Sequence, residues 1–300
     1  MSYRIEHNRY LDREVQRVIK ERIANSMEHL SCYDQSPDRA VHEVRKNMKK
    51  SRAALRLVRY SISDSTYKAL NAKYRDLSRM LAVAREAAVH LKTLDDLRGD
   101  LPNLDDAQAV DEVLRADYWN AHRQLLHPKN IPMDVRNQLK RSIQEIDELS
   151  IAGEGFDMFH KGIKRIYKQG RKALKQVKAV PDGEHFHNWR KRVKYLWYHL
   201  RLLKDAWPKV MKGYATSLDA ISDCLGLEHD LVDLKNKLRN DDQLAIASHK
   251  GVRDLIDIID QKRSGLQAAV WQDADKHYFE SPKRFARRIG HYWDVARTKE

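Results

Sequence analysis

His42, Arg45 and Lys49 stand in an H-x-x-R-x-x-x-K spacing that returns 145 residues later as His187, Arg190 and Lys194. On an α-helix each residue turns by about 100°, so His42, Arg45, Lys49, Arg52 and Arg56 would share an arc of about 80°. His187, Arg190, Lys194 and Arg201 would share an arc of about 60° by the same arithmetic. A row of cations one helical turn apart can neutralise a line of anionic oxygens, with arginine forking onto two of them and lysine acting as a point charge. A third row, Lys164, Lys168, Arg171 and Lys175, continues to Lys178, and no acid interrupts the chain between Asp157 and Asp182. The chemistry these residues could do is the binding of a polyanion.

The alternative for any charged helix face is plain solvation. Such a face would lie opposite the buried one and mix both signs. Here Val41, Val44, Met48 and Leu55 mark the core side of the first helix, and Phe186, Trp189, Val193 and Leu200 that of the second. Each basic row lies about 100° from that centre and contains no acid. The rows therefore belong beside a packed seam, where neighbouring helices can close them into a groove.

Helical periodicity runs from about Glu6 to Leu30. After Ser36-Pro37-Asp38, where Ser or Asp can cap, it resumes to near Ile62. A third helix is expected from Ser65 to Leu97, stopping at Gly99 and Pro102, and a fourth from Asp105 to Leu126 before His127-Pro128. Further helices are expected at Phe156 to Lys178, Glu184 to Ala206, Lys209 to Arg239, Lys250 to His277 and Pro282 to Arg297, and no phased strands appear. The segment Leu81-Ala-Val-Ala-Arg85-Glu86 matches Leu225-Gly-Leu-Glu-His229-Asp230 at an offset of 144. The expected fold is all-α: two tandem antiparallel helical bundles related by an internal repeat and pseudo-twofold symmetry. The first lobe spans about 1–130, a part-helical hinge about 131–155, and the second lobe about 156–300.

A net charge of +14 on 300 residues, with 42% hydrophobic residues and only 11 Gly and 7 Pro, suits a helical, core-forming polyanion binder. No window approaches the ~20 apolar residues of a membrane span. The N-terminus, MSYRIEHNRYLDREV, has no signal-peptide stretch, so a cytoplasmic location is expected. Cys32 and Cys224 imply neither a disulfide framework nor a zinc site. His42-Glu43 fails to complete H-E-x-x-H because Lys46 follows, and Glu184-x-x-His187 stands alone. No metal site, cofactor or catalytic group is therefore expected, and the chain reads as a non-enzyme.

Taken together, Val41-His42-Glu-Val-Arg45-Lys-Asn-Met-Lys49, the run Gly162 to Leu174, Phe186-His187-Asn-Trp-Arg190-Lys-Arg-Val-Lys194 and Leu225-Gly-Leu-Glu-His-Asp230 resemble a CHAD domain along nearly the whole chain. That resemblance implies tandem helical bundles, histidine-bearing basic helices and binding of inorganic polyphosphate. Carried over residue by residue, it implies polyphosphate-binding roles for His42, Arg45, Lys49, Arg52, Arg56, Lys164, Lys168, Arg171, Lys175, His187, Arg190, Lys194 and Arg201. Polyphosphate granules become a candidate location. Glu86 and Asp230 are expected to orient the histidines or arginines beside them. Where the family commonly has Arg-Asp this chain has Arg85-Glu86, and Trp197 and Tyr198 stand where further cations would have been unsurprising. The alternating Glu-x-Glu-x-Lys signature of a triphosphate-cleaving partner domain is absent, so a stand-alone form is expected. The competing reading is a nucleic-acid-binding helical module, with Tyr195, Trp197 and Tyr198 stacking on bases.

Overall fold

Helix starts follow local punctuation. Pro37 occupies the first turn of α2 (Pro37–Leu57), where its missing N–H costs nothing, but Ser36 at the N-cap makes no side-chain capping bond. Ser63 caps α3 (Asp64–Met80) by accepting from the Thr66 N–H, Asn130 caps α6 (Ile131–Asp147), and Asp182 caps α8 (Gly183–Leu202). The remaining helices are α1 (Leu11–Ser31), α4 (Ala82–Leu97), α5 (Asp105–Leu126), α7 (Asp157–Ala179), α9 (Pro208–Asn240), α10 (His249–Tyr278) and α11 (Pro282–Arg297). The computed structural model describes residues 3–101, 105–241, 243–244 and 249–298, and among these no strand occurs. The expected stop at Pro102 lies outside the described residues.

Helix boundaries differ from the sequence expectation in several places. Residues before Leu11 are not helical; they lie along α8, where the Ile5 N–H donates to the Leu202 carbonyl at 2.8 Å. The second helix ends at Leu57 rather than near Ile62. The stretch 131–155, expected as part helix and part hinge, carries α6, which packs on α1 and α3 through the buried Val135, Leu139 and Ile146. The helix expected from Ser65 to Leu97 breaks at Leu81, which is fully buried with φ −101° and ψ 11°. The break lets α3 pack on α2 and α6 while α4 turns to α5 and α9. No glycine or proline marks it.

The apolar residues form two cores. The larger joins α1, α2, α3, α7, α8 and α11 around Trp189, Trp293, Tyr74, Tyr167 and Phe159. The smaller is built by Leu94, Leu97, Val110 and Leu114 from α4 and α5 against Leu231, Leu234, Leu238, Leu255 and Ile259 from α9 and α10. Both halves of the chain contribute to each, so α2 of the first half is held directly against α8 of the second. At their crossing the buried His199 Nε2 lies 3.0 Å from the Ala53 carbonyl, which can only accept, so Nε2 carries the proton.

Candidate polyanion-binding site

The α2–α8 crossing brings the two H-x-x-R-x-x-x-K motifs together, and α4 and α9 close around them. Val41, Val44, Met48 and Leu55 of α2 and Phe186, Trp189, Val193 and Leu200 of α8 are buried, which fixes the rotation of both helices. Their flanking cations are thereby brought close together around Lys49. The side chain reaches solvent, yet protein surrounds it so densely that lost hydration pushes its ammonium down to about 7, with Arg190, Arg45, Arg85 and Lys194 lowering it further.

Each neighbour is held by a specific feature. Arg45 Nη1 donates to the Ser78 carbonyl at 2.6 Å, one of the last carbonyls of α3, which the helix end leaves without an intrahelical partner. The break at Leu81 thus supplies the acceptor for Arg45, and it also starts the helix that carries Arg85. Arg190 lies against Gly226 of α9, where a Cβ would stand 3.8 Å from its Nε and Nη2. Lys194 sits 4.0 Å over the Trp197 ring and 3.5 Å from Asp219. Arg201 lies over Trp197 and Tyr3 at 4.6 and 5.8 Å, towards the far end of the α8 row.

The histidines differ. His42 is exposed, and burial followed by Arg85 lowers its basicity. His187 packs on the His229 ring, centroids 4.2 Å apart, with its Nδ1 buried and unpartnered. Burial first, then Lys191, Arg190 and Lys49, push His187 down to about 4; burial, Arg190, His187 and Lys49 push His229 to about 3. Both rings are therefore neutral at pH 7. Glu86 and Asp230 do not clamp these groups: among the described residues neither makes a hydrogen bond or an ion pair within 4.0 Å. They act through space, Glu86 on Arg45 and Asp230 on Arg85. Desolvation raises Asp230, and with Asp230 and Glu86 it lifts Asp233 to about 6.

Not every expected cation joins the cluster around Lys49. Arg52 and Arg56 turn to the other side of the crossing, towards Tyr195, with Arg56 4.2 Å over that ring. Lys164, Lys168, Arg171 and Lys175 of α7 are exposed, and none is among the groups that act most strongly on Lys49 or His187. The reason is which helices lie beside α7. The core side of α7 (Phe159, Ile163, Ile166, Tyr167, Leu174) is buried among α2, α8, α10 and α11, and the basic row lies about 125° around the helix from it. The expectation that all three rows converge on one cavity is therefore corrected: Arg45 and Lys49 of the first row, Arg190 and Lys194 of the second, and Arg85 come together. Arg85 and His229 belong to the site although the sequence reading gave them no role. Their signal was present, since both lie in the two segments matched at an offset of 144.

An all-helical domain with a cluster of cations at the crossing of two basic helices is thus defined by the geometry. The chain belongs to the CHAD domain family, whose model matches residues 18–239. Among solved structures, PptA from Streptomyces chartreusis is 13% identical, with 86% of this chain and 98% of that one covered and a TM-score of 0.56. The CHAD domain from the plant Ricinus communis is 18% identical, covering 97% and 96%, with a TM-score of 0.57. At these identities the likeness shows the fold. No curated protein matches the chain.

Proposed function

We propose that this protein binds inorganic polyphosphate without chemically altering it, in the recess around Lys49, and that polyphosphate granules are one place where it does so. The observation that carries the reading is the set of influences on Lys49: the strongest are lost hydration and four further cations, all unfavourable to its charge. A phosphate chain entering there supplies the missing counter-charge. Polyphosphate has no base edges to read, so affinity comes from counterion release and from forked contacts of Arg45, Arg85 and Arg190, with Lys49 and Lys194 as point charges. The nucleic-acid alternative loses its stacking platform, because Trp197 and Tyr198 are buried at 8% and 2% exposure and Tyr195 lies beneath Arg56.

Competition between long-chain polyphosphate and an oligonucleotide, matched in phosphate equivalents, tests the ligand; polyphosphate should win at moderate salt, and parity would overturn the assignment. Incubating polyphosphate with the protein and following orthophosphate should show no release. Sustained release would overturn the non-catalytic part alone.

A further inference from the structure

The four arginines on the α7 side of the α2–α8 crossing stand apart from the cluster around Lys49. Some arginines elsewhere are matched by acids, such as Arg17 with Glu14 at 2.6 Å, Arg98 with Asp111 at 2.5 Å and Arg263 with Glu228 at 2.9 Å, and others, such as Arg45, are not. Near Tyr195 four unmatched arginines are grouped together. Arg52 Nε donates to Asn71 Oδ1 at 3.2 Å, Arg56 Nη1 to the Arg52 carbonyl at 3.0 Å, Arg165 Nη1 to the Tyr60 hydroxyl at 3.2 Å, and Arg192 Nη1 to Gln169 Oε1 at 3.0 Å. Every acceptor is neutral. Among the described residues no carboxylate lies within ion-pair distance of any of the four.

They are also mutually close. Arg56 and Arg165 act on Arg192, and Arg56 acts on Arg52. Burial, then these neighbours, disfavours the charge of Arg52 and Arg192, although Tyr195 acts in the opposite sense on both. Three helices, α2, α7 and α8, have therefore placed Arg52, Arg56 and Arg192 near the Tyr195 ring and Arg165 beside Arg192, all half-exposed or exposed, with neutral hydrogen-bond acceptors and no counter-ion. Guanidinium groups so arranged fit tetrahedral oxyanions through paired N–H donors.

We propose that Arg52, Arg56, Arg165 and Arg192 form a second anion subsite, which takes a later segment of the phosphate chain held at Lys49 and makes the protein select long chains over short ones. The inference rests on the function proposed above. Lys49 and Arg56 are seven residues apart on α2, a rise of about 10 Å, more than a three-phosphate chain spans. A long chain engages both subsites, and the second contact becomes intramolecular, whereas tripolyphosphate engages one.

The test compares calorimetric titration of tripolyphosphate and of long-chain polyphosphate, at one salt concentration, into wild type and Arg165→Gln/Arg192→Gln. The tripolyphosphate binding followed is the part lost in Arg45→Gln/Arg190→Gln. The expected result is a loss on the order of tenfold for the long chain, equivalent to about 1.4 kcal/mol, and less than twofold for tripolyphosphate. Retained tripolyphosphate binding also reports that the variant is folded. Lys283→Gln/Arg284→Gln, two exposed cations at the start of α11, removes the same net charge and should leave both affinities within twofold. Unchanged long-chain affinity in Arg165→Gln/Arg192→Gln, an equal loss for both ligands, or an equal loss in the α11 control overturns the second subsite alone. A wild type that binds neither ligand removes the function proposed above and this inference with it.

Discussion

At the residue scale the decisive group is Lys49, because its charge is the one most changed by its surroundings and by any anion that enters. With an ammonium held at about 7 against an ordinary 10.5, the free protein carries a partly neutral Lys49 at neutral pH. A bound phosphate raises that value again, so binding takes up a proton. Affinity should be full below pH 7 and fall as pH rises above it, by up to about tenfold per unit while one proton is taken up. Lys49→Arg, charged throughout, should flatten that slope, which titration across pH 6–9 measures; an unaltered slope would place the titrating group elsewhere. The same shift acts on folding with a fixed sign. The unfolded chain holds more protons between about 7 and 10.5, so Lys49's contribution to the stability of the free protein rises with pH across that window. His187, held near 4, must be protonated on unfolding in acid, so its contribution falls as pH drops below about 6.5. Thermal midpoints of ligand-free protein between pH 4 and 6.5 should therefore decline more steeply in wild type than in His187→Asn.

At the element scale the recess depends on how closely helices approach, and Gly162 of α7 is the tightest such point. A Cβ there would stand 1.9 Å from the Leu57 carbonyl oxygen at the end of α2, a backbone atom that cannot rotate away. Gly162→Ala should displace α7 from α2 and cost roughly 1–3 kcal/mol, visible as a lowered denaturation midpoint. An unshifted midpoint would mean that the approach is relaxed in solution. Much of this architecture was legible in the sequence: apolar periodicity marked the core faces of α2 and α8, and Ser36-Pro37-Asp38 marked the start of α2. The break at Leu81 was not, since a buried leucine gives no local signal and only tertiary packing separates α3 from α4. The basic row of α7 shows the same limit from the other side. Spacing fixed the angle of Lys164, Lys168, Arg171 and Lys175 on their own helix, but it could not say which neighbour lies across from them. Arg52 and Arg56 share their arc with Lys49, yet the α2–α8 crossing divides the row into two surfaces.

At the scale of the whole molecule, the excess of +14 is distributed unevenly. Surface pairs such as Lys20 with Asp147 and Lys178 with Asp275 neutralise many cations, while Lys49 with Arg45, Arg85 and Arg190 around it, and the four arginines near Tyr195, have no acid within ion-pair distance among the described residues. Polyphosphate affinity should therefore fall steeply with salt. Five cations (Arg45, Lys49, Arg85, Arg190, Lys194) give a log–log slope of roughly −3.5, and removing one should cut its magnitude by about 0.7. A flat salt response would contradict binding by charge. The two shared cores make convergence of the halves a property of the fold itself. A double-mutant cycle tests that convergence most directly: polyphosphate affinity in wild type, Lys49→Gln, Arg190→Gln and the double variant, at one pH and salt. Each single change should weaken binding, and the pair should depart from additivity by about 0.5 kcal/mol or more, as groups sharing one ligand do. Losses that add within about 0.3 kcal/mol, as at independent sites, would contradict it.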